Sequence, residues 1–243
     1  MKALILAAGK GTRLRPLTNK TPKILLNFGN SNILEYLFGC LKENNINEIY
    51  VVTGYKSDQI KKKFNSKVNL IYNKRYQTTN SIYSLFLAKE KLYNSNFLLI
   101  NGDIIISKKY FKINEKNKKH SFTYGIKKKR VKLGEMNLVI KKNNVKNIGK
   151  DISSKISDTE SAQITYFRKK DSKLLFKNVD KLININQKNL FPASAYEDII
   201  KKSCLKIKYV NKNHWLELDN LADYKKVKKI LKNKLKISQF KNL

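Results

Sequence analysis

Acidic residues are scarce in this chain. Its 243 residues carry 18 Asp and Glu against 52 Lys and Arg, for a formal net charge of +34. Cysteine is nearly absent: Cys40 and Cys204 stand alone, which excludes a disulfide framework and a cysteine zinc quartet. The two histidines, His120 and His214, lie far apart in sequence without zinc-type partners. Three prolines and nine glycines are too few for a low-complexity or collagen-like chain. No apolar run approaches the ~20 residues that cross a bilayer. The first apolar stretch, Ala3 to Ala8, is too short for a signal peptide and reads as a strand, so a cytoplasmic protein is expected.

What is present suits a folded protein. Hydrophobic residues make up 41%, ordinary for a globular chain and too high for a disordered one. The length suits one α/β domain with a sizeable core. The positive charge has two readings: a nucleic-acid-binding surface, or a lysine-rich bias spread over a solvated exterior. Arginine appears only at Arg13, Arg15, Arg75, Arg130 and Arg168, whereas base reading and bidentate phosphate contacts favour arginine. The lysine clusters at Lys61–Lys63, Lys127–Lys129 and Lys225–Lys229 fall on separate elements. Compositional bias is the better account. The charge should still raise encounter rates with anionic substrates.

Two of the nine glycines and two of the three prolines fall near the start, in Leu4-Ile-Leu-Ala-Ala-Gly-Lys-Gly-Thr-Arg-Leu-Arg-Pro-Leu-Thr, closed by Thr21-Pro22-Lys23. A short apolar strand breaks there into a loop whose Gly9 and Gly11 let backbone N–H groups approach a phosphate chain. Arg13 and Lys23 supply fixed positive charge around a triphosphate. The spacing excludes a P-loop, since four residues should separate the first glycine from Gly-Lys-Ser/Thr. It also excludes the dinucleotide fingerprint, whose third glycine position is Leu14 here. A nucleotide handled by its phosphates is indicated, and with it an enzyme.

The pattern from Leu6 to Thr18, with Thr21-Pro22-Lys23 behind it, resembles the signature of the nucleoside-triphosphate transferase family, which includes sugar-phosphate nucleotidylyltransferases and bacterial cytidylyltransferases. The resemblance implies a Rossmann-like three-layer α/β/α sandwich in one domain, a divalent metal and release of pyrophosphate. It places Leu6, Ala7, Ala8, Gly9, Gly11, Thr12 and Arg13 at the nucleotide, with Lys23 and Arg13 as the catalytic cations.

Strand and helix patterns alternate, as in a mainly parallel mixed sheet with crossover helices. Strands are predicted at 3–8, 48–53, 68–72 and 97–100, with helices at 33–41, 57–64 and 81–92. Beyond residue 103 the spacing predicts strands at 122–127, 135–141, 145–148, 163–168, 205–210 and 214–218, and helices over 174–183, 195–203 and 221–234. Residues 1–103 form the nucleotide-binding half and 104–234 the acceptor-binding half with its closing metal segment; 235–243 is a tail.

Nucleotidyl transfer needs a hard cation, held by one or two carboxylates plus phosphate oxygens. Asp103 follows a buried apolar strand and a glycine, at the strand end where open α/β sheets gather ligands. The segment from Trp215 to Asp219, followed by Leu221-Ala-Asp223-Tyr, resembles the family's closing segment. By that match Asp219 joins Asp103 in holding Mg²⁺, and Glu217 is a weaker candidate. Asp219 as a plain helix N-cap is the alternative.

The substrate hint lies in Thr79-Asn80-Ser81-Ile-Tyr83-Ser-Leu85. It resembles a segment of the phosphocholine and aminoalkylphosphonate cytidylyltransferases, departing from it at Ser81, where a second Asn is usual. Thr79 and Asn80 offer short polar groups at a helix start, suited to an anion, a base edge or simply a cap. Glu135 and Tyr196 fall in further stretches similar to that subgroup, while Ser161 to Phe167 departs from it. If the acceptor carries a quaternary amine, aromatic faces and a carboxylate should hold it. Tyr83, Glu135, Tyr196 and Trp215 are the expected acceptor residues, and Tyr124, Tyr166, Phe167, Glu197 and Asp198 are further candidates. The expected reaction transfers CMP from CTP to phosphocholine, 2-aminoethylphosphonate or a similar acceptor, with no specific nucleic acid or membrane partner. The alternatives are a sugar-1-phosphate nucleotidylyltransferase using UTP, dTTP or GTP, and a basic nucleic-acid-binding protein.

Overall fold

A computed structural model of the chain describes residues 1–28, 31–114, 118–127 and 133–232. The expected tail over 235–243 and the lysines 128 and 129 lie outside these residues.

The first strand, β1 (Lys2–Ala7), shows why the chain builds three layers. Its apolar run is buried on both faces, as in a central parallel strand. Ala3 and Ile5 enter one core cluster, Leu4 and Leu6 another. The same division holds in β4 (Glu48–Thr53), with Ile49 and Val51 opposed to Tyr50 and Val52, and in β6 (Phe97–Asn101). Helix α1 (Ile33–Glu43) covers the first face with Leu34, Leu37 and Leu41. Helices α3 (Ser81–Leu87) and α5 (Lys169–Asn184) cover the second with Ile82, Leu85, Phe176 and Val179. Asn32 starts α1 through a capping box, accepting from the Glu35 amide while Glu35 accepts from its own. Helix α2 (Ser57–Phe64) adds Ile60 and Phe64 to the first face.

One mixed sheet runs through the chain in the order β5 (Asn69–Tyr72), β4, β1, β6, β11 (Thr159–Phe167), β8 (Phe122–Lys127), β12 (Lys206–Asn211), β10 (Asn144–Gly149), β9 (Asn137–Lys141). The first four strands are parallel. Strand β11 joins them antiparallel to β6, then continues antiparallel to β8. Its start also pairs with β9, so the far end of the sheet curls back.

Several boundaries depart from the periodicity. The helix expected over 81–92 breaks at Ala88, whose N–H bonds back to Leu85 and tightens the turn before α4 (Lys89–Leu92). The helix expected over 195–203 is instead a 3₁₀ turn at Pro192–Ala195 and a π-type turn at Ile199–Ser203. Strand β11 begins four residues before Gln163. Two short pairings were not legible: β2 (Asn27–Phe28) with β3 (Ser31–Asn32), and β7 (Ile104–Ile106) with β13 (Trp215–Glu217). The last helix, α6, spans Leu221–Lys232. No described helix is long and apolar enough to cross a membrane.

Gly102 pins the turn between β6 and β7. Its N–H donates to the Leu6 carbonyl at 2.9 Å, and a Cβ there would meet that oxygen at 2.6 Å. The obstacle is backbone and cannot swing aside. Gly102→Ala is expected to destabilise the fold by ~1–3 kcal/mol, in the range of overpacked sites. A urea midpoint equal to that of the wild type would contradict this.

Candidate active site

The site assembles at the carboxyl ends of β1 and β6, where an open α/β sheet leaves its crevice. After β1 the chain turns through the glycine loop. Gly11 sits at φ +62 and its Cβ position lies 3.2 Å from both Lys23 and Thr18 side-chain atoms, so a glycine suits both the conformation and the space. Thr18 donates to the Gly11 carbonyl at 2.9 Å, and the Tyr55 hydroxyl donates to the Thr18 carbonyl at 2.8 Å. These bonds fold residues 11–23 back so that Lys23 reaches the end of β6.

The second half of the site arrives through the β7–β13 pair. Ile104 faces Glu217 in register, and the Leu218 N–H donates to the Asp103 carbonyl at 2.8 Å. Asp103, Glu217 and Asp219 thereby converge, with one carboxylate oxygen from each within 4.8 Å of the others. Asp219 is not an N-cap: its own N–H and that of Asn220 donate to Asp223, while Asn220 accepts from the Asp223 amide.

The two expected cations meet these carboxylates. Lys23 Nζ lies 2.8 Å from Asp103 Oδ2 and 3.8 Å from Asp219 Oδ1. The Arg13 guanidinium forks onto Asp219 at 2.6 and 2.7 Å, the planar bidentate geometry that arginine favours. Arg13 is mostly exposed, Lys23 mostly enclosed.

A cavity of about 360 Å³ opens over this cluster. Its walls include Leu6, Ala7, Gly9, Gly11, Thr12 and Arg13 from the glycine loop, Asn80 from the start of α3, and Glu135 and Tyr196 from the second half. Other expected residues stand outside it. The Ala8 carbonyl accepts from the Tyr55 amide. Thr79 turns its hydroxyl to the Arg75 carbonyl at 2.7 Å. Tyr83 stacks on Phe86 under the Arg75 guanidinium. Trp215 donates to the Ala162 carbonyl at 3.0 Å and packs on the core. The β7–β13 register turns its indole towards β11. Tyr124, Tyr166 and Phe167 belong to the core, and Glu197 and Asp198 pair with Lys201 and Lys202. Asn80 lines the cavity and also caps α3 through the Ser81 amide. The wall contains Phe191, Lys150 and Gln163 as well, none singled out by the sequence. The Lys150 ammonium lies 4.8 Å from the centre of the Phe191 ring.

Residues 2–234 match the Nucleotidyl transferase family. The chain belongs to that family. Choline-phosphate cytidylyltransferase of Streptococcus pneumoniae is 32% identical over 243 residues, covering 96% of this chain and 99% of that protein. The choline-phosphate cytidylyltransferase of Haemophilus influenzae is 30% identical, covering 97% and 100%. The solved structure of the S. pneumoniae CTP:phosphocholine cytidylyltransferase superimposes with a TM-score of 0.78 at 29% identity, covering 95% of this chain and 98% of that one. The protein is thus a nucleotidyltransferase enzyme with a Rossmann-like fold, and the nucleic-acid-binding alternative is set aside.

Nucleotidyltransferases generally use a divalent metal, and this chain has a donor set that suits one. All three converging groups are carboxylates, the ligands hard cations prefer. Asp103 Oδ1 is buried without a hydrogen-bond partner, a costly state that a cation would relieve. Burial pushes the Glu217 carboxyl up to about 8, with Asp103, Asp219 and Glu135 adding like charge against the bond from Gln163. An acid raised in the folded state binds more protons folded than unfolded between its ordinary value and about 8. Stability of the metal-free protein therefore falls as pH rises through that window. Added Mn²⁺ should lift the melting temperature more at pH 8 than at pH 6, and Glu217→Gln should remove most of that difference. Equal shifts at both pH values would count against this coupling.

Proposed function

We propose that this nucleotidyltransferase is a cytoplasmic CTP-dependent cytidylyltransferase. It transfers CMP to a small phosphorylated or phosphonate acceptor such as phosphocholine or 2-aminoethylphosphonate. The observation that carries the chemistry is Lys23, held between Asp103 and Asp219 beneath the Gly9–Arg13 loop. Full-length similarity to two choline-phosphate cytidylyltransferases supports the choice of base and acceptor class.

The acceptor oxygen is already anionic, so no general base is needed. It forms a bond to the α-phosphorus of CTP as the bond to the β-phosphate oxygen breaks, and pyrophosphate leaves with that electron pair. Catalysis is positioning plus neutralisation of charge. The Gly9 and Gly11 backbone offers donors to the triphosphate, and Arg13 takes its outer phosphates. Lys23 bridges the α-phosphate and the acceptor as charge builds. Asp103 and Asp219, with Glu217 beside them, would hold Mg²⁺, which supplies Lewis-acid charge neutralisation when bound. Residues 1–103 serve the nucleotide, while residues 104–234 supply the acceptor side and close the metal site.

The test is pyrophosphate release with Mg²⁺, crossing CTP, UTP, dTTP, ATP and GTP against phosphocholine, 2-aminoethylphosphonate, phosphoethanolamine and several sugar-1-phosphates. Turnover confined to CTP with an amino-alcohol phosphate or phosphonate is expected. Turnover confined to a sugar phosphate with UTP, dTTP or GTP would replace this reading by the sugar-nucleotide one.

A further inference from the structure

We propose that Gln163, oriented by Asn101, is a positioning residue that fixes the metal-binding carboxylates through Glu217. The inference rests on reading Asp103, Glu217 and Asp219 as the metal site.

Strand β11 is irregular where it passes the cavity. Ser161 pairs with Gly125 and Thr165 with Thr123, so four steps along β11 face only two along β8. Bulges of this kind re-aim side chains and gather beside active sites. Gln163 takes the left-handed conformation at φ +60, which a long side chain seldom adopts and a glycine would adopt freely. Its N–H donates to the Ser161 hydroxyl at 3.0 Å. Local strain of this sort persists where surrounding structure requires the side chain.

The side chain has a specific use. Asn101, at the end of β6, donates its amide to Gln163 Oε1. That bond turns Gln163 Nε2 towards Glu217 Oε1, to which it donates. The polarity follows from the partner: as a metal ligand Glu217 is a carboxylate and only accepts, so the reversed amide would set oxygen against oxygen. Asn101, Gln163 and Glu217 all line the cavity, and Glu217 sits in the carboxylate cluster. The bridge therefore runs from the strand that leads to Asp103, through the bulge, to the strand that leads to Asp219. Outer groups that orient a metal's ligands this way typically change metal affinity by about 10–100-fold when removed.

Gln163→Gly is the decisive variant, because it deletes the amide while suiting the φ +60 backbone. Binding of Mn²⁺ alone, read from the electron-paramagnetic signal of free Mn²⁺, should weaken by about 10–100-fold. The metal-free melting temperature should stay the same or rise. Turnover should fall at limiting Mn²⁺ and recover at saturating Mn²⁺. Asn101→Ala should weaken Mn²⁺ in the same direction. In a Glu217→Gln background, adding Gln163→Gly should change Mn²⁺ affinity by less than about twofold, because coupled neighbours are not additive. Unchanged Mn²⁺ binding in Gln163→Gly, or full multiplication of the two effects, would overturn the inference and leave the metal site standing. Failure of the wild type itself to bind Mn²⁺ would overturn the metal site, and the inference with it.

Discussion

Lys23→Ala is expected to lower kcat by at least ~100-fold while the purified protein stays folded. Lys23 belongs to neither hydrophobic core cluster. It begins a 3₁₀ turn whose apolar members, Ile24 and Leu25, carry the burial. Its ammonium instead sits between two carboxylates at the cavity wall, 2.8 Å from one and 3.8 Å from the other. In the reaction, negative charge develops where the acceptor and the leaving group flank the α-phosphorus. A fixed cation in a partly enclosed site acts there without reorganisation. Losing one such contact costs ~2.7–4 kcal/mol of barrier, or about 10²–10³ in rate. Lys23→Arg should recover little of this, since a forked guanidinium cannot occupy the place of a point charge. Near-normal kcat in folded Lys23→Ala would remove the residue from the chemistry.

The parallel half of the fold was legible because β1, β4 and β6 are buried on both faces and read as nearly unbroken apolar runs. Residues 48–53 and the helix over 57–64 were found to the residue. The glycine loop was legible because glycine is rare elsewhere in the chain, so the Gly9–Gly11 pair beside two prolines stands out. Asp103 followed from the same logic, at the end of an apolar strand behind a glycine. What the sequence concealed was set by long-range pairing. Ile104 to Ile106 looks like a continuation of β6, yet forms a separate two-stranded ribbon with Trp215 to Glu217. That register decides that Trp215 turns to Ala162. It also brings Glu217 fully into the cluster. Gln163 carried no signal of its own, because a bulge leaves the alternation of neighbouring residues intact enough to read as strand. Aromatic residues misled for another reason: Tyr124, Tyr166 and Phe167 fill the core, the usual fate of such side chains.

Asp103→Ala is expected to match Lys23→Ala in size, with a further signature in the pair. Asp103 presents Oδ2 to Lys23 and keeps Oδ1 buried without a partner. Removing the carboxylate deletes a metal-binding group and leaves Lys23 with Asp219 at 3.8 Å. A loss of at least ~100-fold in kcat follows from either defect. Because Lys23 and Asp103 neutralise charge around the same phosphates, Lys23→Ala with Asp103→Ala should cost little more than the worse single change. Groups that act as one unit are strongly non-additive in this way. The two residues should separate in the absence of nucleotide. An ammonium 2.8 Å from Asp103 competes with any metal for that oxygen, and the Arg13 fork competes likewise for Asp219. Lys23→Ala and Arg13→Ala should therefore bind Mn²⁺ alone more tightly than the wild type, while Asp103→Ala binds it more weakly. By linkage, a triphosphate that draws these cations away favours metal binding, and metal favours the triphosphate by the same factor. Weaker Mn²⁺ binding by all three variants would show that the cations only support the carboxylates and do not hold them in reserve.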